Sequence, residues 1–461
     1  MKPNLKPNFF TVDLFAGCGG ISEGFHQAGF KTVAQIEMHP PACETLRTRQ
    51  MFFELKGMQK ISVYHKYLKE NISRKEIFDK YPEISDAVNF RVIEETLSEK
   101  SLQSVIKKIR SSMEFHNTSS IQVFLGGPPC QPYSIINRAW VQENNNKGKK
   151  DERNYLYTHY LELLKEFQPD IFVYENVPGL FSATYGGEKI FKKLLDDFSR
   201  LSPSYEIIPP LDKVSEKPHD YILNSVNFGV PQNRKRLILI GFKEGLEENN
   251  PGIVRMYERL RNERKPVNTQ ITVRDAISDL PELKPNYGDN RFYSGYPEDA
   301  PFSPYQKKMR RNSPGVLNHF ARAHMQSDLD RYRFFIEHYQ NTGKSATLKD
   351  LLSERSDLAP QHNEENNNKF VDRFKVQWWE KPASTVTAHL SKDGHYFIHP
   401  DIEQCRSFTV REAARCQSFP DNFFFEGPRT EQFRQVGNAV PPLLAKAIGK
   451  SVMHELEKIY S

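Results

Sequence analysis

A glycine-rich turn between a strand and a helix is the feature that most constrains the fold of this chain. The apolar run from Phe9 to Phe15 predicts a buried strand, and Gly17, Gly19 and Gly20 follow it at once. Helical periodicity then covers Ile21 to Ala28, and Lys31 to Glu37 predicts a second strand. This order is typical of sheets that bind ligands beyond the carboxyl ends of their strands.

The same alternation continues along the first half of the chain. Strands are predicted at Ile121 to Leu125, Asp170 to Tyr174 and Arg236 to Phe242, and helices at Asn154 to Phe167 and Glu188 to Leu201. Strands that alternate with helices indicate an α/β fold with a doubly wound, mostly parallel sheet and helices on both faces.

Length and pattern predict more than one lobe. The chain has 461 residues, more than the roughly 250 to 300 at which single cores stop growing. We expect a catalytic and cofactor-binding domain at 1–244, with an insertion or mobile loop at about 47–120. Prolines and weaker periodicity indicate a second, smaller and irregular lobe at 245–433, and helical regularity returns in 434–461.

Composition excludes several classes of protein. With 38% hydrophobic and 26% charged residues, the chain has no apolar run near the roughly 20 residues of a membrane span. Its start lacks a secretory signal, so we expect a cytoplasmic protein without a membrane partner. The five cysteines have neither zinc-site nor disulfide-framework spacing, and we expect no metal. A net charge of +6 permits a polyanionic partner without requiring one.

The first candidate site is the turn itself. A dinucleotide fingerprint that starts at Gly17 needs glycine at position 22, where this chain has Ser22. Phe15 offers an aromatic face, and Glu37 at the end of the second strand offers a carboxylate for ribose hydroxyls. These residues suit a nucleoside without phosphates, such as S-adenosylmethionine, although three clustered glycines alone are equally typical of an ordinary turn.

Three further segments carry candidate reactive groups. Glycines and prolines around Cys130 (Gly126-Gly-Pro-Pro-Cys-Gln-Pro-Tyr-Ser134) stiffen the backbone at one thiol, although isolated cysteines are more often buried apolar residues. Glu175 follows a strand and is expected at the same sheet edge. Arg234 and Arg236 alternate in extended chain, where surface charge is the alternative to phosphate or base contact. A loop around Asn438 precedes the last helix.

Taken together, five segments in this order resemble the DNA cytosine-5 methyltransferase family of the bacterial restriction-modification type. They are FAGxGG at 15–20, PPCQ at 128–131, ENV at 175–177, QxRxR at 232–236 and GNAVPP at 437–442. Further agreement lies in 222–232, in Thr385-Val-Thr-Ala-His389 and in 409–421 (TVREAARCQSFPD). The resemblance covers most of both ends and only loosely the middle.

The resemblance implies a fold of the S-adenosylmethionine-dependent methyltransferase (Rossmann-like) type with a target-recognition domain. It implies that Cys130 is the nucleophile, that Glu175 engages a flipped cytosine, and that Arg234 and Arg236 hold the base and nearby backbone, supported by Gln232. The cofactor residues that it implies are Phe15, Cys18, Gly20, Glu37, Met38, Gly127, Pro129, Leu156, Asn438 and Ala439. Cys18 is then a backbone contact.

Two positions depart from the family pattern, which often has an aromatic residue at Met38 and serine at Ala439. The resemblance also implies an acidic residue that contacts the adenine amino group. No motif in 47–120 identifies it, and Asp86, Glu94 and Glu95 are candidates. The implied substrate is double-stranded DNA, methylated at carbon 5 of cytosine through a covalent Cys130 adduct after base flipping. We further expect a monomer and a companion restriction endonuclease.

Three other functions stay open from the sequence. An RNA (tRNA) cytosine-5 methyltransferase shares the motifs, although the full-sized variable lobe argues mildly against it. An inactive DNA-binding regulator with the same fold has no need of intact Cys130, Glu175 and both arginines. A nicotinamide-dependent oxidoreductase is disfavoured by Ser22 and leaves the PPCQ segment unexplained.

Overall fold

The computed structural model describes residues 8–128, 156–185, 188–208, 218–246, 251–266, 269–298, 302–360 and 373–461. Twelve strands are present in these ranges: β1 Phe10–Leu14, β2 Lys31–Glu37, β3 Val92–Glu94, β4 Val123–Gly126, β5 Ile171–Asn176, β6 Thr184–Tyr185, β7 Glu188–Lys189, β8 Tyr205–Ile208, β9 Ile222–Asn224, β10 Lys235–Lys243, β11 Gly288–Ser294 and β12 Val316–Phe320.

Sixteen α-helices occupy the same described ranges. They are α1 Gly20–Ala28, α2 Pro40–Gly57, α3 Ile61–Leu68, α4 Arg74–Lys80, α5 Pro82–Arg91, α6 Leu102–Phe115, α7 Leu156–Phe167, α8 Ile190–Ser199, α9 Pro251–Asn262, α10 Val273–Ile277, α11 Pro304–Arg310, α12 Gln326–Thr342, α13 Leu348–Glu354, α14 Val410–Cys416, α15 Arg429–Asn438 and α16 Pro442–Ile459. In this part of the chain, no helix has the length and apolar character needed to cross a membrane.

One sheet organises the first lobe, in the order β3-β2-β1-β4-β5-β10-β8, with β9 also paired to β10. Strands β1 to β5 are mutually parallel, and β10 runs antiparallel to β5, β8 and β9. After β1 the chain forms β2 on one side of β1, and it later returns to form β4 on the other side of β1. That reversal creates a crevice beyond the carboxyl ends of β1 and β4, and the predicted doubly wound, mostly parallel fold is confirmed.

Both faces of the sheet are covered, as the continuous apolar strands require. Helices α6, α7 and α8 pack on one face and α1, α9 and α16 on the other. Close packing between β5 and β10 leaves no room for a side chain at Gly241, where a methyl group would lie 2.1 Å from the Phe172 ring. The aromatic residue and the glycine face each other in the strand register.

Residues 47–120, expected as an insertion or mobile loop, are mostly helical, so they are not an irregular loop. The end of α2, then α3, α4 and α5, lead into the edge strand β3, and α6 covers the sheet. An apolar cluster joins the α2–α5 segment to Leu317 and Phe424 of the second lobe. The sequence did not predict these helices because apolar periodicity is weak in short segments. Two of the helices, α3 and α4, have only eight and seven residues.

The second lobe contains α10 to α14 and the β11–β12 pair, and its core is continuous with the first lobe. One apolar cluster includes Val273 and Phe408 together with Cys18, Val436 and Leu443. Helix α9 packs on α16 through Met256 and Val452, among others. The boundary expected at residue 245 therefore falls before a helix that belongs to the first lobe's packing.

Candidate active site

The carboxyl ends of β1, β4 and β5 lie side by side. Leu14 pairs with Gly126, and Gly126 pairs with Tyr174. The start of β10 reaches the same edge because Leu237 pairs antiparallel with Asn176. The predicted site residues that follow or flank these positions are Phe15, Gly127, Glu175, Arg234 and Arg236.

Glu37 ends β2 with its carboxylate turned toward the glycine turn. One oxygen accepts a hydrogen bond from the Gly17 amide (2.8 Å), and the other accepts from the amides of Met38 and His39 (2.9 Å each). The residue is buried, and a carboxylate has about four acceptor positions. Backbone donors thus orient the carboxylate and leave it capacity for a further donor.

The glycine turn is shaped by one unusual backbone angle and one close contact. Phe15 has φ +57°, a conformation that bulky residues adopt under constraint and that concentrates at functional sites. A methyl group on Gly20 would lie 2.3 Å from the Val440 carbonyl oxygen and 3.1 Å from the Ala439 side chain. The loop before α16 therefore closes directly onto the turn.

Cys18 lies within this turn and Met38 follows Glu37 at the end of β2, and the two side chains have different surroundings. The Cys18 thiol donates to the Gln435 carbonyl at 3.5 Å, and burial raises its pKa far above the usual range. Such a thiol is held neutral, in agreement with a backbone role for this residue. The Met38 side chain is 49% exposed and offers apolar surface beside Glu37.

A buried polar chain lies beneath the turn and was missed by the sequence analysis. Ser22 donates to one Asp13 oxygen, Gln35 donates to Ser22 (2.9 Å), and Gln50 donates to Gln35 (2.7 Å). Burial raises the pKa of Asp13 to about 7; the Ser22 hydroxyl opposes this shift and the charge of Glu37 adds to it. Asp13 and Ser22 flank the glycines in sequence, which was the available signal.

Glu175 and Arg236 form an ion pair at the neighbouring strand ends. Arg236 Nε lies 2.8 Å from Glu175 Oε1, and both side chains are nearly buried. Burial raises the pKa of Glu175, whereas the nearby charges of Arg236 and Arg234 lower it. The loop after β4 touches the pair, because a methyl group on Gly127 would lie 2.7 Å from Glu175 Oε2.

Asn176 attaches the same loop to β5. Its side-chain amide donates to the Pro128 carbonyl at 3.2 Å, and its oxygen accepts from the Val177 amide at 2.9 Å. The segment that leads into the predicted nucleophile is thereby anchored beside Glu175. Cys130 and Pro129 themselves lie outside the described residues.

Arg234, expected to hold the base, has buried partners within the protein. Its side chain is fully buried, and its guanidinium donates to the carbonyls of Val386 (2.5 Å) and Gly437 (3.0 Å). Arg234 lies just before β10 and bonds to backbone of the 383–389 segment and of α15, whereas Arg236 lies in β10 and bonds to Glu175. The two arginines therefore have different partners in the protein, and a role of Arg234 at the base stays a prediction.

The remaining predicted residues surround the crevice. Leu156 begins α7 one turn before Tyr160, whose ring packs against Gly126. Asn438 ends α15 with an exposed side chain. Of the adenine-reading candidates, Glu94 pairs in register with Glu37 at the strand ends.

The other two candidates lie in different surroundings. Glu95 follows β3 and forms an ion pair with Lys108 at 2.6 Å. Asp86 lies in the middle of α5, the helix that precedes β3. Position therefore favours the acidic residues that end β3 over the one on the helix.

Comparison with known proteins identifies the family of this chain. A family model of C-5 cytosine-specific DNA methylases matches residues 9–72 and 88–454. The chain belongs to this family. It is a DNA cytosine-5 methyltransferase, and S-adenosylmethionine is its methyl donor.

Two relatives match this family member over nearly its whole length. The type II methyltransferase M.Bpa9945I of Bacillus paralicheniformis is 40% identical over 96% of this chain and 98% of its own. The type II methyltransferase M.DdeI of Desulfomicrobium norvegicum is 30% identical over 97% of this chain and 89% of its own. The chain is therefore similar to restriction-modification methyltransferases from end to end.

A solved structure agrees with the fold. A crystal structure described as a DNA modification methyltransferase encoded within an Escherichia coli prophage matches with a TM-score of 0.60. The match covers 97% of this chain and 99% of that chain at 23% identity. At that identity the likeness supports the fold of this methyltransferase and not its details.

The β1–β2 edge fits S-adenosylmethionine. The Glu37 carboxylate suits ribose hydroxyls, the exposed Met38 side chain suits the adenine ring, and the turn at Gly20 lets backbone approach the ligand closely. Ser22 lies where a dinucleotide site needs glycine. In the described residues no group of three His, Cys, Asp or Glu side chains is arranged to hold a metal ion.

Proposed function

We propose that this methyltransferase acts on one specific double-stranded DNA sequence, by base flipping and a covalent adduct with Cys130. The observation that carries the proposal is the Glu175–Arg236 pair, against which the start of the Cys130 loop packs. A carboxyl group with a raised pKa beside an arginine is suited to engage a neutral ring nitrogen that becomes basic during the reaction.

The first step of the mechanism is addition of the Cys130 thiolate to carbon 6 of cytosine. A carbon–sulfur bond forms, and the electrons of the carbon 5–carbon 6 double bond move through the ring toward nitrogen 3. Glu175 donates its proton to nitrogen 3, which leaves carbon 5 nucleophilic as part of an enamine. Arg236 then faces a Glu175 carboxylate and stabilises the charge that develops there.

S-adenosylmethionine, when bound, supplies the methyl group that carbon 5 takes up. The carbon 5 proton is then lost to a base, the carbon–sulfur bond breaks, and Cys130 leaves as the thiolate. Glu175 recovers its proton from nitrogen 3 in the same elimination. The side chains thus return to their starting protonation states at the end of each turnover.

The cofactor side of the site comprises the glycine turn, the β2 end and the loop before α16. We assign cofactor contacts to Phe15, Cys18, Gly20, Glu37, Met38, Gly127, Pro129, Leu156, Asn438 and Ala439. Glu94 or Glu95 reads the adenine amino group from the end of β3. The register that places β3 next to β2, with Glu94 opposite Glu37, supports the assignment at the end of β3.

The second lobe selects the target sequence, because the catalytic lobe carries the chemistry and the base lies inside the duplex until flipped. We further propose that the protein is a cytoplasmic monomer that protects DNA from a companion restriction endonuclease. The type II relatives support the last point by their names.

Bisulfite sequencing of DNA from cells that express the protein tests this proposal. We expect 5-methylcytosine at one position of one recurrent sequence, and none with Cys130→Ala. Cys405→Ser is the matched control, since that thiol is buried far along the chain in the second lobe. Duplexes with 5-fluorocytosine at the target should then trap a covalent complex, because fluorine blocks the loss of the carbon 5 proton. Methylation by Cys130→Ala would overturn the mechanism.

A further inference from the structure

Two fully buried glutamines join segments that are far apart in sequence. Gln232 donates to the Cys416 carbonyl (3.1 Å) and to the Gln417 side-chain oxygen (3.0 Å), and its own oxygen accepts from the Val386 amide (2.8 Å). Both glutamine side chains are fully buried. A buried amide with all its bonds made fixes its partners strongly, because an unpaired partner there is costly.

Gln417 continues the chain of hydrogen bonds toward the cofactor side. Its amide nitrogen donates to the carbonyls of Val436 (2.7 Å) and Ala439 (3.4 Å). Ala439 lies against Gly20 of the turn. The two side chains therefore connect four parts of the chain. These are the segment that leads into β10, the 383–389 segment, the end of α14 and the loop before α16.

Gln232 lies four residues before Arg236 on the segment that leads into β10, and the network ends at Ala439, against the glycine turn. Arg234 supports the same junction, since it bridges the carbonyls of Val386 and Gly437. Methyl transfer requires the base and the methyl donor to meet within a few tenths of an ångström of one geometry. The two glutamines therefore fix the distance between the segment that leads into β10 and the loop that packs on the glycine turn.

Only an amide satisfies this position. Gln417 donates two hydrogen bonds and accepts one, so a glutamate lacks the donors and a leucine lacks all three bonds. We propose that Gln417 is a positioning residue for methyl transfer, acting through Gln232 and the carbonyls of Val436 and Ala439. The inference rests on the proposed function, because it assumes that Arg236 and the turn serve the same reaction.

The test compares Gln417→Leu and the isosteric Gln417→Glu with a matched control, Gln306→Leu. Gln306 is also buried, donates to the Arg274 carbonyl and the Ser278 hydroxyl, and accepts from the Ser303 amide, all within the second lobe. We expect all three variants to lose stability. The Gln417 variants should in addition lose about 10- to 100-fold in kcat and bind S-adenosylmethionine more weakly in calorimetry, whereas Gln306→Leu keeps both values.

A double-mutant cycle with Gln232→Leu separates positioning from folding. If the glutamines act as one unit, the double variant loses about as much kcat as either single variant rather than the product of both losses. Equal kcat per folded molecule in Gln417→Glu and wild type, or fully multiplicative losses, would overturn the inference. Failure of the wild type to methylate DNA would instead overturn the proposed function.

Discussion

The guanidinium of Arg236 lies 2.8 Å from the Glu175 carboxylate at the point where β5 ends and β10 begins. The pair exists because β10 runs antiparallel to β5, which brings the start of one strand beside the end of the other. Burial and the arginine act on the Glu175 carboxyl in opposite directions, and burial dominates. The carboxyl therefore keeps its proton to a higher pH than an exposed glutamate does.

Replacing the arginine of this pair should change both the rate and its pH dependence. In Arg236→Ala, burial acts on Glu175 without its nearest opposing charge, so the pKa of Glu175 rises further. We expect kcat to fall by about 100- to 1,000-fold, the usual loss when one electrostatic stabiliser is removed. The upper limb of the kcat/KM profile, where Glu175 deprotonates, should move to higher pH.

Lys235→Ala is the control for this variant, since Lys235 is exposed on the same strand. It should leave the shape of the pH profile unchanged and affect only DNA binding. A lower rate in Arg236→Ala with an unshifted profile would mean that the arginine binds DNA without tuning Glu175.

Glu37→Gln should weaken cofactor binding selectively. The substitution places an amide nitrogen among the backbone donors of Gly17, Met38 and His39 and removes the charge. Hydrogen bonds to charged groups are worth about 1.5 to 3 kcal/mol, so the Kd for S-adenosylmethionine should rise by about 10- to 100-fold. Titration calorimetry measures it, with Glu54→Gln on α2 as the control.

DNA binding without cofactor provides the second readout for Glu37. Gel-shift affinity for duplex DNA should be equal in Glu37→Gln and wild type, because the residue lies at the β2 end and not at the base-side pair. A parallel loss of both affinities would indicate that the substitution unfolds the sheet edge.

Much of the first lobe could be predicted because the apolar pattern that indicates each strand or helix lies within that element. The strand at 31–37 agrees with β2 at both ends, and the helical stripe from Ile190 onward agrees with α8. Glu175 was expected near the Cys130 loop because parallel strand ends share an edge, and Gly127 does contact it. Local periodicity and strand order were sufficient for these conclusions.

The roles of several site residues depend on long-range packing, which the apolar periodicity of the sequence does not predict. Arg234 and Arg236 look equivalent in extended chain, yet only the partners from Val386 and Gly437 decide that Arg234 is buried. Gln417 stands in a recognised segment, but its side-chain partners lie in two distant segments of the chain, at Gln232 and at 436–439. Such roles arise from long-range contacts, so they could be found only in the folded structure.

A buried ion pair within the first lobe includes an arginine that also bonds to the second lobe, and its loss should strongly destabilise the protein. Arg49 on α2 donates to both oxygens of Glu23 on α1 (2.7 and 2.8 Å) and to Asn422 of the second lobe (2.7 Å). Arg49→Met leaves Glu23 buried without its cation, and such losses cost about 3 to 5 kcal/mol. Chemical denaturation should show this decrease in the free energy of unfolding.

Lys75→Met is the comparison for the buried pair. Lys75 lies 3.4 Å from Asp79 on an exposed helix face, and exposed pairs of this kind are worth at most about 1 kcal/mol. Similar losses in the two variants would contradict the importance of burial at Arg49.

Asp13→Asn should remove a pH dependence of stability that the buried carboxyl imposes. The pKa of Asp13 is about 7 in the folded protein, against 3.8 for the exposed group. Between these values the native chain binds about one proton more than the unfolded chain, so stability falls as pH rises. The contribution is fully present below pH 3.8 and is lost as the pH rises through about 7.

Asparagine can still accept from Ser22 but cannot ionise, so it cannot contribute to this slope. We therefore expect the free energy of unfolding of the variant, relative to wild type, to rise between pH 5 and 7 and to stay constant above about pH 8. Urea denaturation across this range measures the difference, and Ser22→Ala should raise the apparent pKa of Asp13 because the hydroxyl lowers it. A difference that stays flat from pH 5 to 8 would mean that Asp13 is ionised throughout and that the polar chain beneath the turn carries a charge.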